Sequence, residues 1–246
     1  MTLKMCMDGS TSIIDLITHT PFTMAGTPTT ASLLGVTAPT ISATAYTSCT
    51  IPTATIGMTA GQALSIVCVV NTPTWAGNDG VTHYFLNTTA SGTNQIALVK
   101  LNDNNLYFGV RDAAGNWKQR VKAATAVTWA AGTHIVMMTR AADGTIYAYL
   151  DGTEFGAAVG AGTGIDAAIG ANVYIGTNNA NASPLSGSIL TAIYNRVLST
   201  GEIAALSAMT NWSSLFSSDP NNLAGSAFIT GHRISGYRIG PTNVGI

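Results

Sequence analysis

The sequence predicts an all-β protein: two antiparallel sheets packed face to face, with one short helix near the C-terminal end. Three observations carry that prediction. Short runs rich in Val, Ile, Thr and aromatic residues recur with turn signals between them, as at Asn102-Asp103-Asn104, Asp112-Ala113-Ala114-Gly115 and Asp143-Gly144. Regular alternation of short strands and turns is the pattern of a sandwich. The run from Gln62 to Asn71 is nearly all apolar, as expected of a strand deep in a sheet. Finally, Ser199-Thr200-Gly201-Glu202 stands directly before Ile203 and Leu206. A Ser followed three residues later by a Glu, ahead of an apolar stripe, opens a helix through a reciprocal capping box.

In chain order, residues 1–40 are Thr-rich and broken by Pro28 and Pro39. Such composition favours extended backbone, so the segment is read as an N-terminal arm or the first strands of the sandwich. The β signal strengthens from residue 41, and residues 41–210 are assigned to the sandwich itself. Strands are expected at Tyr46 to Ile56, Gln62 to Asn71, Val81 to Asn87, Gln95 to Leu101, Asn105 to Arg111 and Trp117 to Val121. Gly132 to Thr139 and Thr145 to Leu150 flank Asp143-Gly144, a strong hairpin signal. Asp151-Gly152 makes the next turn, and Gly156 to Gly170 reads as a loop with a short strand. Val173 to Gly176 and Gly187 to Tyr194 complete the set before the helix at Ser199. Residues 211–246 are rich in Ser, Asn and Gly and are read as a C-terminal tail.

The chain has 246 residues, 46% hydrophobic and only 9% charged, with a net charge of −1. Binding to nucleic acid needs a basic face, and a polybasic membrane anchor needs clustered cations, so neither is expected. No segment approaches the roughly 20 apolar residues that span a bilayer. The N-terminus does not read as a signal peptide, since Asp8 and Asp15 interrupt any apolar stretch. Cys6, Cys49 and Cys68 show neither close pairing nor metal-ligand spacing. Cys68, inside an apolar run, is expected to be a buried small hydrophobe, and assembly in a reducing compartment fits these cysteines better than a disulfide scaffold.

From Trp129 onward the order of pieces becomes specific. Trp129 and Gly132-Thr133-His134-Ile135-Val136 are followed by Thr139-Arg140, Tyr149-Leu150-Asp151-Gly152 and Gly156. Tyr174-Ile175-Gly176, Leu185-Ser186-Gly187-Ser188-Ile189, Tyr194-Asn195-Arg196-Val197-Leu198-Ser199 and Glu202-Ile203 come next. Over residues 62–209 the chain resembles the laminin-G-like, concanavalin A-like jelly roll. That resemblance implies a structural use for Gly152 and Gly187 at turns or close backbone approaches, for Trp129 as a plug at the sandwich end, and for Arg196 in pinning a loop.

Domains of this kind serve as lectins, adhesion modules, glycosidases and virion components, so the fold alone does not choose among them. Glycosidases on this fold carry two carboxylates on one strand, and hydrolysis needs an acid together with a nucleophile or base. The chain has two Glu residues, Glu154 and Glu202, with Glu202 assigned to the capping box. No expected strand carries two acidic residues at alternate positions, so the protein is expected not to be an enzyme. His19, His83, His134 and His232 are scattered without metal-ligand spacing.

Glycan binding uses a flat aromatic ring for stacking, with amides and carboxylates for the hydroxyls. The candidates are Trp75, His83, Trp117, Asn178 and Asn179, with packing at strand ends or turn formation as the alternative for each. A calcium ion is common in similar domains. Asn78 with Asp79, or Asp151 with loop carbonyls, could supply its oxygen ligands. Composition and resemblance together look most like bacteriophage-encoded proteins: a capsid decoration, head fibre or tail component that displays the jelly roll on the virion. Its expected partners are other virion proteins, further copies of itself in an oligomer such as a trimer, and host glycans. A soluble adhesion module of a bacterial secreted or surface protein is the alternative.

Overall fold

A computed structural model describes residues 3–8, 14–15, 21–26, 29–42, 48–72, 79–88, 93–123, 131–178, 183–213 and 215. The strands among them are β1 (Leu3–Asp8), β2 (Ile14–Asp15), β3 (Thr23–Ala25), β4 (Thr29–Leu33), β5 (Val36–Ile41) and β6 (Ser48–Pro52). They continue with β7 (Leu64–Thr72), β8 (His83–Asn87), β9 (Gln95–Lys100), β10 (Leu106–Arg111), β11 (Trp117–Lys122) and β12 (Gly132–Arg140). The last are β13 (Ile146–Leu150), β14 (Thr153–Glu154), β15 (Ala158–Val159), β16 (Asn172–Ile175) and β17 (Gly187–Tyr194), followed by helix α1 (Thr200–Ser207).

Two antiparallel sheets form the jelly-roll sandwich. The first runs β14-β13-β12-β7-β17-β1-β2, with the β4–β5 hairpin joined to β17 through β5. The second runs β15-β11-β10-β9-β8-β16-β6-β3. Strand β7 lies at the centre of the first sheet and is buried along nearly its whole length. That explains its unbroken apolar sequence, since neither face meets water. Residues ahead of 42 contribute to both sheets: β1 and β5 pair with opposite ends of β17, and β3 pairs with β6. The strand expected over Tyr46 to Ile56 is shorter, because the chain turns at residues 53–57 directly after Pro52.

The interior is filled by alternate residues of the two sheets. Phe108 meets Phe85 and Phe155 edge to face, at centroid distances of 5.9 and 5.2 Å, the geometry favoured by ring quadrupoles. Cys68 and Cys49 are fully buried. Burial pushes the Cys68 thiol up to about 12, against a small opposing effect of the Thr191 hydroxyl, and raises Cys49 well above its ordinary value.

The opposite face of the first sheet is also covered. Ser65, on that face, donates to the carbonyl of Arg196 at 2.8 Å and accepts from the amide of Leu198 at 3.0 Å. These bonds start α1 across the sheet, where Ile203 and Leu206 are buried. The Ser199 and Glu202 side chains each bond the other's backbone amide, forming the capping box. The boundary expected at residue 210 falls short of the end of the core. Trp212 is fully buried, and its amide donates to Leu34 O at 2.9 Å. A sheet with apolar residues such as Val67 and Val69 on its second face needs this cover.

Candidate functional site: a groove on the second sheet

The outward face of the second sheet is assembled by register. One row across the strands places Tyr84 opposite Val99, Val99 opposite Tyr107, and Tyr107 opposite Val121. The next runs Asn87, Ala97, Gly109, Gln119, and the third runs Gln95, Arg111, Trp117. Residues two apart along a strand share a face, so all three rows look outward. They line an open groove of about 440 Å³. With ~3.3 Å per residue along a strand and ~4.8 Å between strands, the platform measures roughly 13 by 14 Å.

Gly109 shapes the floor. A Cβ there would lie only 2.5 Å from both Gln119 Cβ and the Lys118 carbonyl. Strands β10 and β11 therefore approach more closely than two side-chain-bearing partners could, and the floor stays low. The walls are tied down. Gln95 donates to Asn87 Oδ1 at 2.7 Å. The Tyr107 hydroxyl donates to Asp103 Oδ2 at 2.6 Å, while the Asn105 amide donates to both, at 3.2 and 3.0 Å. The Asn105 bond lowers the Tyr107 pKa, but the Asp103 carboxylate and burial outweigh it and hold the phenol above its ordinary value. Burial likewise raises Tyr84. At the other end, Arg111 lies over the Trp117 ring at 5.9 Å, and its Nε donates to Gly115 O at 2.7 Å.

Of the residues singled out from sequence, Trp117 belongs to this groove. His83 does not: it is 3% exposed on the inward face of β8, with its ring nitrogens 2.8 Å from Pro184 O and 2.7 Å from Asp79 Oδ2. Asn178 is half-buried just beyond β16, away from the groove lining. Trp75, Asn78, Asn179 and Trp129 lie outside the described residues.

The carboxylates considered for calcium face donors instead. Asp79 accepts from the buried Lys100 ammonium and from the Val81 amide, besides its contact with His83. Burial raises the Asp79 pKa, but these donors outweigh it and lower the group overall. Asp151 accepts from Ile135 N at 2.8 Å and meets His134 Nδ1 at 2.8 Å. Carboxylates already facing N–H groups and cations form a poor donor set for a hard divalent ion. Among the described residues no cluster of three His, Cys, Asp or Glu is placed to hold a metal.

The groove residues Tyr84, Gln95, Tyr107, Arg111 and Gln119 escaped the sequence reading. The signal was present in the two short hairpin loops, 102–104 and 112–116, which set the register of β9, β10 and β11 and so align these side chains.

A family model for the concanavalin A-like lectin/glucanases superfamily matches residues 43–204, about two thirds of the chain. The chain belongs to that superfamily, and its domain is a lectin-like jelly roll. No curated protein matches it. Among solved structures, the receptor-binding domain of botulinum neurotoxin mosaic serotype C/D, with tetraethylene glycol on its Hcn sub-domain, is similar at a TM-score of 0.65 and 11% identity. That match covers 84% of this chain and 50% of the other. The binding domain of botulinum neurotoxin DC in complex with rat synaptotagmin II gives 0.64 and 10%, covering 86% and 52%. The same binding domain in complex with SialylT gives 0.65 and 8%, again over 86% and 52%. The chain thus spans about half the length of these structures, and at such identities the likeness is one of fold.

Proposed function

We propose that this domain is a non-enzymatic carbohydrate-binding module whose site is the groove on the second sheet. The observation that carries the reading is the three-row platform itself. Trp117, Tyr84 and Tyr107 offer aromatic surface, while Gln95 and Gln119 offer amides, across a floor kept low by Gly109. Such a combination suits stacking on sugar rings with hydrogen bonds to hydroxyls. Binding without hydrolysis is supported by the lining, where Arg111 is the only charged side chain among the described residues. A glycosidase would need two carboxyl groups there. Glu154 is ion-paired with Arg120, and Glu202 with Arg196.

A glycan array followed by titration calorimetry tests the reading. Trp117→Ala should weaken saccharide binding about tenfold, the loss expected for ~1–1.5 kcal/mol of stacking, and leave the melting temperature nearly unchanged. An empty array, or affinity indifferent to Trp117→Ala, would overturn it.

We further propose that the module is displayed on a bacteriophage particle, as a capsid decoration, head fibre or tail component. The low charge content and the resemblance of the segment from Arg196 to Phe216 to phage-encoded versions of this domain support this. Antibody raised against the domain should label intact particles under the electron microscope, and unlabelled particles would refute the placement. Deleting residues 1–40 is not a clean test, since β1, β3, β4 and most of β5 would be lost.

A further inference from the structure

We propose that the groove selects acidic saccharides, with Arg111 receiving a sugar carboxylate. This deepens the carbohydrate-binding reading and rests on it. Arg111 is the direct cross-strand partner of both Gln95 and Trp117, so it occupies the middle of the third row and not the rim. Its guanidinium is held in place from two sides: the Trp117 ring lies 5.9 Å from Cζ, and Nε is bound to Gly115 O. Among the described residues no carboxylate pairs with it, and Nε–H is its one printed hydrogen bond to protein. The two Nη groups therefore remain as a planar, end-on pair. That pair matches the two oxygens of a carboxylate, and a guanidinium already fixed in orientation loses little entropy on binding one.

The other cations nearby are directed elsewhere. Lys118, Arg120 and Lys122 alternate with Trp117, Gln119 and Val121 on β11, so they belong to the opposite face. Arg120 is spent on Ile146 O, Gly156 O and Glu154. At the far end of the groove the nearest acid, Asp103, sits behind the Tyr107 hydroxyl. Charge along the platform is therefore polarised. An anionic ring is attracted to the Arg111 end and disfavoured at the Tyr107 end, leaving the Tyr84–Tyr107 row for neutral rings. The ligand that fits is a short oligosaccharide with a carboxylate-bearing residue at one end.

Calorimetric titration of the full chain with four probes tests this: 3′-sialyllactose, lactose, trigalacturonate and its carboxyl-reduced form. 3′-Sulfated lactose serves as a fifth probe. The wild type should bind at least one acidic probe about tenfold or more tightly than its neutral counterpart, and added salt should shrink that preference. Arg111→Gln should erase the preference while binding of the neutral probes and the melting temperature stay unchanged. Equal affinity for acidic and neutral members of both pairs would overturn the acidic selectivity and leave the carbohydrate-binding reading standing. A preference that survives Arg111→Gln would overturn the role of Arg111, and tighter binding of the sulfated probe than of sialyllactose would overturn the carboxylate. Absence of binding to every probe overturns the inference, and an empty glycan array alongside it would remove the reading beneath.

Discussion

Arg196 and Glu202 show how one side chain can serve several bonds. Glu202 receives both terminal nitrogens of Arg196, at 2.7 and 2.5 Å, and also closes the capping box through the Ser199 amide at 2.9 Å. The Arg196 bond chiefly lowers its pKa from 4.5 to about 2, with burial opposing and Ser199 assisting. A carboxyl whose folded pKa is depressed stabilises the fold fully above its unfolded value and loses that contribution as pH falls toward the folded one. The Glu202 contribution should therefore be complete above 4.5 and vanish on approaching about 2. The pair is partly exposed, so Glu202→Gln should cost only ~1 kcal/mol at neutral pH. Thermal melts should show the gap between wild type and Glu202→Gln closing across that acidic window. A gap independent of pH would assign the stabilisation to something other than the ionised carboxylate.

At the scale of elements, β10 and β11 are joined so closely at Gly109 and Gln119 that the sheet has no space for another methyl group. Gly109→Ala must spread the strands or bend them, at ~1–3 kcal/mol by analogy with overpacked cores. It should also disturb Trp117, two residues from Gln119, so a lower melting temperature with a shifted tryptophan emission is expected. An unchanged spectrum would mean the strands part elsewhere. The same elements show what the sequence could reveal. The capping box was legible because its bonds join Ser199 to Glu202, three residues apart, and the Asp143-Gly144 hairpin was legible because its turn is local. Gln62 to Asn71 could be read as an interior strand because burial on both faces removes the polar alternation. The groove was not legible from single residues: Trp117 meets Arg111 and Gln95 only when three strands are laid side by side. His83 looked like a loop ligand, yet it faces inward to meet Asp79 and Pro184, a fate set by the register His83 to Lys100.

For the whole molecule, the C-terminal segment decides how the first sheet is finished. Trp212 is the largest fully buried side chain among the described residues, and it lies beyond both the helix and the region matched by the family model. Trp212→Ala should cost ~3–5 kcal/mol, the range for removing a buried large aromatic ring. A chain stopped after residue 210 should lose at least as much in denaturant melts. Little change in either variant would show that α1 alone suffices as cover. The order in which strands meet also governs how the protein is made. Leu64 pairs with Arg140, and Ser65 with Tyr194, so the most apolar strand leaves the ribosome long before either neighbour exists. The first strand, β1, waits for the last, β17. Topologies dominated by such distant pairings fold slowly and leave unpaired β-prone segments exposed in the meantime. Yield in a cell is therefore set by a race between release of the finished chain and aggregation through β7, and slower synthesis at low temperature or added chaperone should tilt that race toward the folded domain.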